Sequence, residues 1–255
     1  MRVLQYNILD GCNVKERFSK LDKWIKQNNN YEIIGFNELN DWSRRTLENI
    51  GKSWGFQYSY LLQPKTSAYY IGIISKYPIK IINTYDKEFH HGLIHVEIKG
   101  IQYLITHLKP FDSIQREQEA KFIANLTEKI SGPTVIMGDL NTLSPFDEEH
   151  YDKTGVLQNF LLDKKFQGEL RNNKVNYLPF QILLNAGFFD IGFSDNFQHS
   201  IPTALGGSPT KRRIDYFLVN KEMQQFKPKA SVITDPILEE ISDHYPVECY
   251  WDVNY

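Results

Sequence analysis

Apolar residues along this chain fall in short runs rich in β-branched and aromatic side chains, each closed by polar or turn-forming positions. Eleven such runs read as strands: Arg2–Ile8, Ile33–Asn37, Gln57–Leu62, Tyr70–Ser75, Ile79–Thr84, Leu93–Ile98, Gln102–His107, Thr134–Asp139, Ile214–Asn220, Ala230–Thr234 and Pro246–Trp251. Gly100 separates two of them, as a tight hairpin requires. Helical spacing is confined to three stretches. Residues 14–29 put Phe18, Leu21, Trp24 and Ile25 on one stripe. Residues 114–130 do the same with Ile114, Phe122, Ile123, Leu126 and Ile130, and Gly132 and Pro133 stop the pattern. Residues 178–187 form a third candidate, ended by Gly187. Many strands and few helices predict an α/β (α+β) fold: two packed, mixed but mainly antiparallel sheets with helices outside. No linker, repeat or charge block divides the chain, so a single domain over residues 1–255 is expected.

Polar residues able to meet a metal ion or a phosphate recur at the ends of these runs: Asn7, Glu38, His107, Asp139, Asn141, Asp215, Asp243 and His244. Strand ends of a sandwich gather at its edge, where loops carry chemistry on a rigid frame. In "VIMGDLNT", Asp139 and Asn141 would share one side if the chain stayed extended, offering oxygens to a hard cation or a water. A plain Gly-Asp-Asn turn is the alternative. Asp215 sits inside the apolar run "IDYFLVN", where an unpaired carboxylate is costly to bury. An imidazole donating to it would satisfy it, and His244 is the candidate partner. Glu38, just past the run Ile33–Phe36, reads either as surface decoration or as the carboxylate ligand of a divalent ion, and Asn7 either ends its strand or donates its amide to a phosphoryl oxygen. His90, His91 and His95, without an acid nearby in sequence, read as structural or peripheral.

Composition narrows the classes. Hydrophobic residues are 41% and charged residues 24% of 255, the balance of an ordinary globular protein. No apolar stretch is long enough for a membrane span, and a start in strand-like "MRVLQYNIL" predicts no signal peptide, hence the cytoplasm. The net charge of −2 counts against a nucleic-acid binder that works by bulk charge. Two cysteines without a CxxC indicate neither a zinc site nor a disulfide framework. The basic run at 163–174 reads as a solvated face.

Taken in order, "YNIL", "NEL", "ITHL", "GDLN", "RRIDYF" and "SDHYPV" resemble the signatures of the endonuclease/exonuclease/phosphatase superfamily across almost the whole chain. The resemblance implies a four-layered α/β/β/α sandwich with the active site at one edge of the sheets. It implies Mg²⁺, with Mn²⁺ as a substitute, bound directly by Glu38. Asn7 and His107 would contact the scissile phosphate, and Asp139 and Asn141 would position water and a non-bridging oxygen. Asp215 would orient His244, and Asp243 would lie near the leaving group or the metal. Whether Asp139 or His244 takes the water's proton is left open, as are the partner of His107 and the role of Asp10. The expected protein is a monomeric metal-dependent phosphoesterase, selective rather than a bulk nuclease. A nuclease on DNA or RNA is the alternative, and an inactive binding protein of the same fold the second.

Overall fold

The computed structural model describes residues 1–252. The chain forms β1 (Arg2–Asn7), β2 (Ile33–Asn37), β3 (Tyr58–Leu62) and β4 (Ile71–Ser75), then β5 (Lys80–Tyr85), β6 (Leu93–Ile98), β7 (Ile101–His107) and β8 (Thr134–Asp139). A small ribbon, β9 (Leu170–Arg171) with β10 (Lys174–Val175), precedes β11 (Phe189–Asp190), β12 (Asp215–Val219), β13 (Lys229–Val232) and β14 (Val247–Tyr250). The first sheet has the order β13-β14-β1-β2-β4-β3 and the second β11-β12-β8-β7-β6-β5. Among the described residues, only β1–β2 and β7–β8 pair in parallel. These parallel pairs lie side by side at the centre of each sheet, and both run toward the edge where Asn7, Asn37, His107 and Asp139 stand.

The sheets bury their facing sides in one core that includes Ile33, Ile73, Ile105 and Met137. Helix α1 (Lys15–Gln27) adds Leu21, Trp24 and Ile25 to it, and α2 (Arg44–Ser53) adds Leu47. A second core, with Leu104, Ile136 and Tyr216 from the strands, joins α3 (Ser113–Thr127) through Ala120 and Ile123 and α6 (Leu178–Asn185) through Phe180 and Leu183. The layers are thus α/β/β/α, as expected. Between α3 and α6 the chain makes α4 (Glu148–Thr154) and α5 (Val156–Leu162), and α7 (Lys221–Gln224) follows β12. Among the described residues no helix is long and apolar enough to cross a membrane.

One expectation about the helices needs correction. Ile114 is 70% exposed, whereas α3 buries Arg116, Glu117 and Glu119 in its first half. That end of the helix faces polar loops instead of a sheet: Arg116 pairs with Glu169 and donates to Lys109 O, and Glu119 accepts the backbone N–H groups of His90 and Lys109. Helices α2, α4, α5 and α7 and the strand β11 escape sequence reading because they are short or interrupt loop-like segments. At the Gly100 hairpin the expectation holds, with Lys99 and Gly100 both at positive φ as a two-residue turn demands.

Candidate active site

The end of β8 carries the centre of the site. Gly138 has φ +151°, and a Cβ there would lie 1.8 Å from Thr106 O on the neighbouring strand. Only glycine lets β8 run so close to β7 before the chain delivers Asp139. Asp139 is buried, and each carboxylate oxygen has its own neighbours. Its Oδ1 accepts the Asn141 N–H at 2.9 Å. Its Oδ2 accepts Asn7 Nδ2 at 3.1 Å and lies 3.4 Å from His107 Nε2 and 3.8 Å from His244 Nε2.

Asn7, at the end of β1, donates from the same Nδ2 to Glu38 Oε1 at 3.0 Å. Its Oδ1 accepts the Leu9 N–H. The amide is fully buried and both its hydrogens go to carboxylates, so Asn7 fastens Glu38 to Asp139 and does not face the cavity as the expected phosphate donor. Glu38 also accepts the Asp10 N–H at 3.0 Å, while the Asp10 carboxylate is turned to Asn40 Nδ2. Leu9, Asp10, Glu38 and Asn141 all have φ between 47° and 60°. Such left-handed residues cost about 1 kcal/mol or more each, and they cluster where loops must aim functional groups. Asn141 therefore reaches the cavity from a turn, not from the extended segment expected, and its amide donates to Leu108 O at 3.0 Å.

His244 Nδ1 meets Asp215 Oδ2 at 2.8 Å, the pairing expected from sequence, and Nε2 turns toward Asp139. Asp243 is less enclosed, with Oδ1 3.9 Å from His244 Nε2. Ser242 holds this loop to the first strand, donating to Asn7 O at 2.7 Å and accepting the His244 N–H. A cavity of about 560 Å³ opens over these groups. Glu38, His107, Asp139, Asn141, Asp243 and His244 line it; Asn7 and Asp215 stand behind.

The electrostatics follow from crowding. Burial, then the charge of Asp215, raises the Asp139 carboxyl above its ordinary range, with His244 opposing. Burial raises Glu38 as well, against the hydrogen bonds from Asp10 and Asn7. Burial works against a charged His244, but Asp215, by charge and hydrogen bond, and then Asp139 and Asp243 outweigh it and hold the ring protonated. His107 is the reverse case: burial, then the neighbouring His91, keeps it neutral.

His91, read from sequence as structural or peripheral, lies on the cavity wall. It is buried against His107, ring centroids 4.3 Å apart and nearly parallel, with Nδ1 on Ser67 Oγ at 2.6 Å. Burial, then His90 and Lys109, lowers it to about 3. His90 and Tyr69 also line the cavity, and the acid that anchors His90, Glu119, comes from 29 residues away. The basic run at 163–174 is likewise not wholly solvated, since Lys165 and Phe166 reach the cavity wall.

Oxygen donors dominate the centre. Asp139, Asp215 and His244 offer ligand atoms within 4.8 Å of one another, but His244 Nδ1 and Asp215 are already committed to each other. Glu38 lies outside that trio, joined to it through Asn7, and faces the cavity. Two acids driven upward by burial and like charge, with carboxylate oxygens toward one space, are the donor set that a hard divalent cation stabilises.

A model of the Endonuclease/Exonuclease/phosphatase family matches residues 4–244. No curated protein matches the chain in sequence. Solved structures with the same fold include an AP endonuclease from Archaeoglobus fulgidus, 18% identical, covering 99% of this chain and 100% of that one at a TM-score of 0.74. A 3′-5′ exonuclease from Neisseria meningitidis is 15% identical, with coverage of 99% and 100% and a TM-score of 0.65. The beta toxin of Staphylococcus aureus is also 15% identical, with coverage of 99% and 100% and a TM-score of 0.62.

Proposed function

This chain belongs to the endonuclease/exonuclease/phosphatase family of phosphoester hydrolases, and on that premise we propose that its cavity uses one divalent ion, Mg²⁺ or Mn²⁺, to hydrolyse a phosphate ester with water. The observation that carries the reading is the Asn7 amide, which donates to Glu38 and Asp139 together and so ties a metal ligand to a proton acceptor. Glu38 would hold the ion, with Asp243 near it. The ion, when bound, neutralises charge on phosphoryl oxygens and eases departure of the leaving oxygen.

The chain's own groups do the rest. Asp139, buried and raised, takes the proton of the attacking water, a task worth about 100- to 10,000-fold. His244 is held protonated and brings fixed positive charge to the phosphoryl group without reorganisation. Asp215 fixes its ring from behind. Neutral His107, stacked on His91 and 3.4 Å from Asp139, orients the carboxylate or a phosphoryl oxygen. Asn141 aims a second polar group from its turn.

The net charge of −2 favours a selective phosphodiesterase or phosphatase, working as a cytoplasmic monomer, over a bulk nuclease. A panel with Mg²⁺ on duplex DNA, single-stranded RNA, a phosphoinositide, sphingomyelin and bis(p-nitrophenyl) phosphate tests this. Turnover of at least one small substrate, abolished by EDTA, is expected. Salt-sensitive cutting of plain duplex DNA would make the protein a nuclease instead. No turnover on any substrate with either metal would leave an inactive binding protein.

A further inference from the structure

Three arginines are buried, and the chain treats one of them differently. Arg213 is held by Asp147 and Asp190, both at 2.7 Å, and Arg116 is paired with Glu169. Arg212, 7% exposed, has no carboxylate within ion-pair distance among the described residues. Its guanidinium makes one hydrogen bond, to Ser208 Oγ at 3.1 Å, and its Nε is buried without a partner. Burying a cation so thinly compensated is costly. The segment leading into β12 explains the contrast. Arg212 and Ile214 line the catalytic cavity, whereas Arg213 turns away from it to Asp147 and Asp190.

The rings around Arg212 fix its place without neutralising it. The guanidinium carbon lies 4.8 Å from the centroid of Phe166 and 5.6 Å from that of Phe160. On the cavity wall beside it, Lys165 sits with Nζ 4.4 Å from the Phe111 centroid, and Phe111 packs edge-on against Phe166. A guanidinium fork, an ammonium and a hydroxyl facing one space make a receptor for a phosphate oxygen cluster.

We propose that Arg212, with Ser208 and Lys165, forms a second anion site in the catalytic cavity, and that the substrate carries a second phosphate close to the one that is cleaved. This rests on the phosphoesterase reading for the first phosphate, but the site itself does not. Arg212 is a specificity-determining residue in this scheme: Glu169 and Asp139 favour its charge only from beyond ion-pair distance, and the contact anion comes from the substrate.

Calorimetric titration in EDTA with deoxythymidine 3′,5′-bisphosphate and with deoxythymidine 5′-monophosphate isolates the added phosphate. The bisphosphate should bind tighter by about tenfold, equivalent to ~1.4 kcal/mol. Arg212→Met should erase that ratio, and Arg212→Lys should keep part of it. Lys165→Ala, at an exposed position where folding is not at stake, should reduce it about two- to threefold as one surface charge is lost. Equal affinities in the wild type, or a ratio that survives in folded Arg212→Met, would overturn the proposal. Turnover of the p-nitrophenyl esters of the same two nucleotides with Mg²⁺ separates the two readings. A retained bisphosphate preference without turnover sinks the catalytic reading alone, and turnover without preference sinks the second site alone.

Discussion

The side-chain oxygen of Asn37 accepts the backbone N–H of Asp139 at 2.7 Å, a bond from the last residue of β2 in one sheet to the last residue of β8 in the other. The same oxygen accepts Gln5 Nε2 at 2.6 Å, and the Asn37 amide donates to Thr106 O at 3.0 Å. One buried amide therefore sets the spacing of the two sheets at the edge where the candidate site lies. Replacing it with Ala takes the side-chain acceptor from the Asp139 N–H and from Gln5 Nε2, and a donor from the Thr106 carbonyl. Asn37→Ala is expected to cost about 2–4 kcal/mol in urea unfolding. It should also lower kcat more than it raises KM, because the misplaced group acts on the reaction rather than on substrate binding.

The Asp215–His244 pair makes a prediction about pH. Asp215 is the main support of the imidazolium, so in Asp215→Asn the folded pKa of His244 falls toward or below its ordinary value. If protonated His244 is the working form, activity in the variant should decline at lower pH than in the wild type. An NMR titration of the ring together with a pH–rate profile reads both. An unchanged alkaline limb would remove His244 from the charged role.

Metal binding can be checked without turnover. Mg²⁺ should raise the Tm of the wild type, since a ligand bound only by the folded state stabilises it. Glu38→Ala should lose that rise and nearly all activity while retaining its unfolding cooperativity. Activity that persists in EDTA would contradict the metal-dependent reading.

Glu119 couples stability to pH. Burial raises its carboxyl to about 7 from an unfolded reference of 4.5, against the two N–H bonds from His90 and Lys109. The folded state then holds the proton that the unfolded state has released. Its contribution is fully present below about pH 4.5 and is lost as pH rises through about 7. Wild-type stability should therefore fall more between pH 5 and pH 8 than that of Glu119→Ala, measured by urea unfolding at each pH.

Strand runs, the Gly100 hairpin and the α1 stripe were legible in the chain because side-chain period follows directly from local backbone geometry. The family resemblance rested on an ordered set of short motifs, and the sandwich follows from it. Periodicity held in the second half of α3, where Phe122, Ile123 and Leu126 pack into the core, and failed in the first, where Ile114 is exposed and Arg116 and Glu119 are buried because distant loops supply Glu169 and the His90 and Lys109 amides. No local pattern announces such partners.

The same reason separates the two halves of the site. Asp139, Glu38 and His244 can be picked out one by one as acids and a histidine at strand ends. That Asn7 serves two carboxylates, that His91 stacks on His107, and that Arg212 lies buried beside rings from residues 160 and 166 depends on segments far apart in sequence. Local sequence encodes which faces an element offers; which charges end up neutralised, and which are left for a ligand, emerges only when the sheets close on one another.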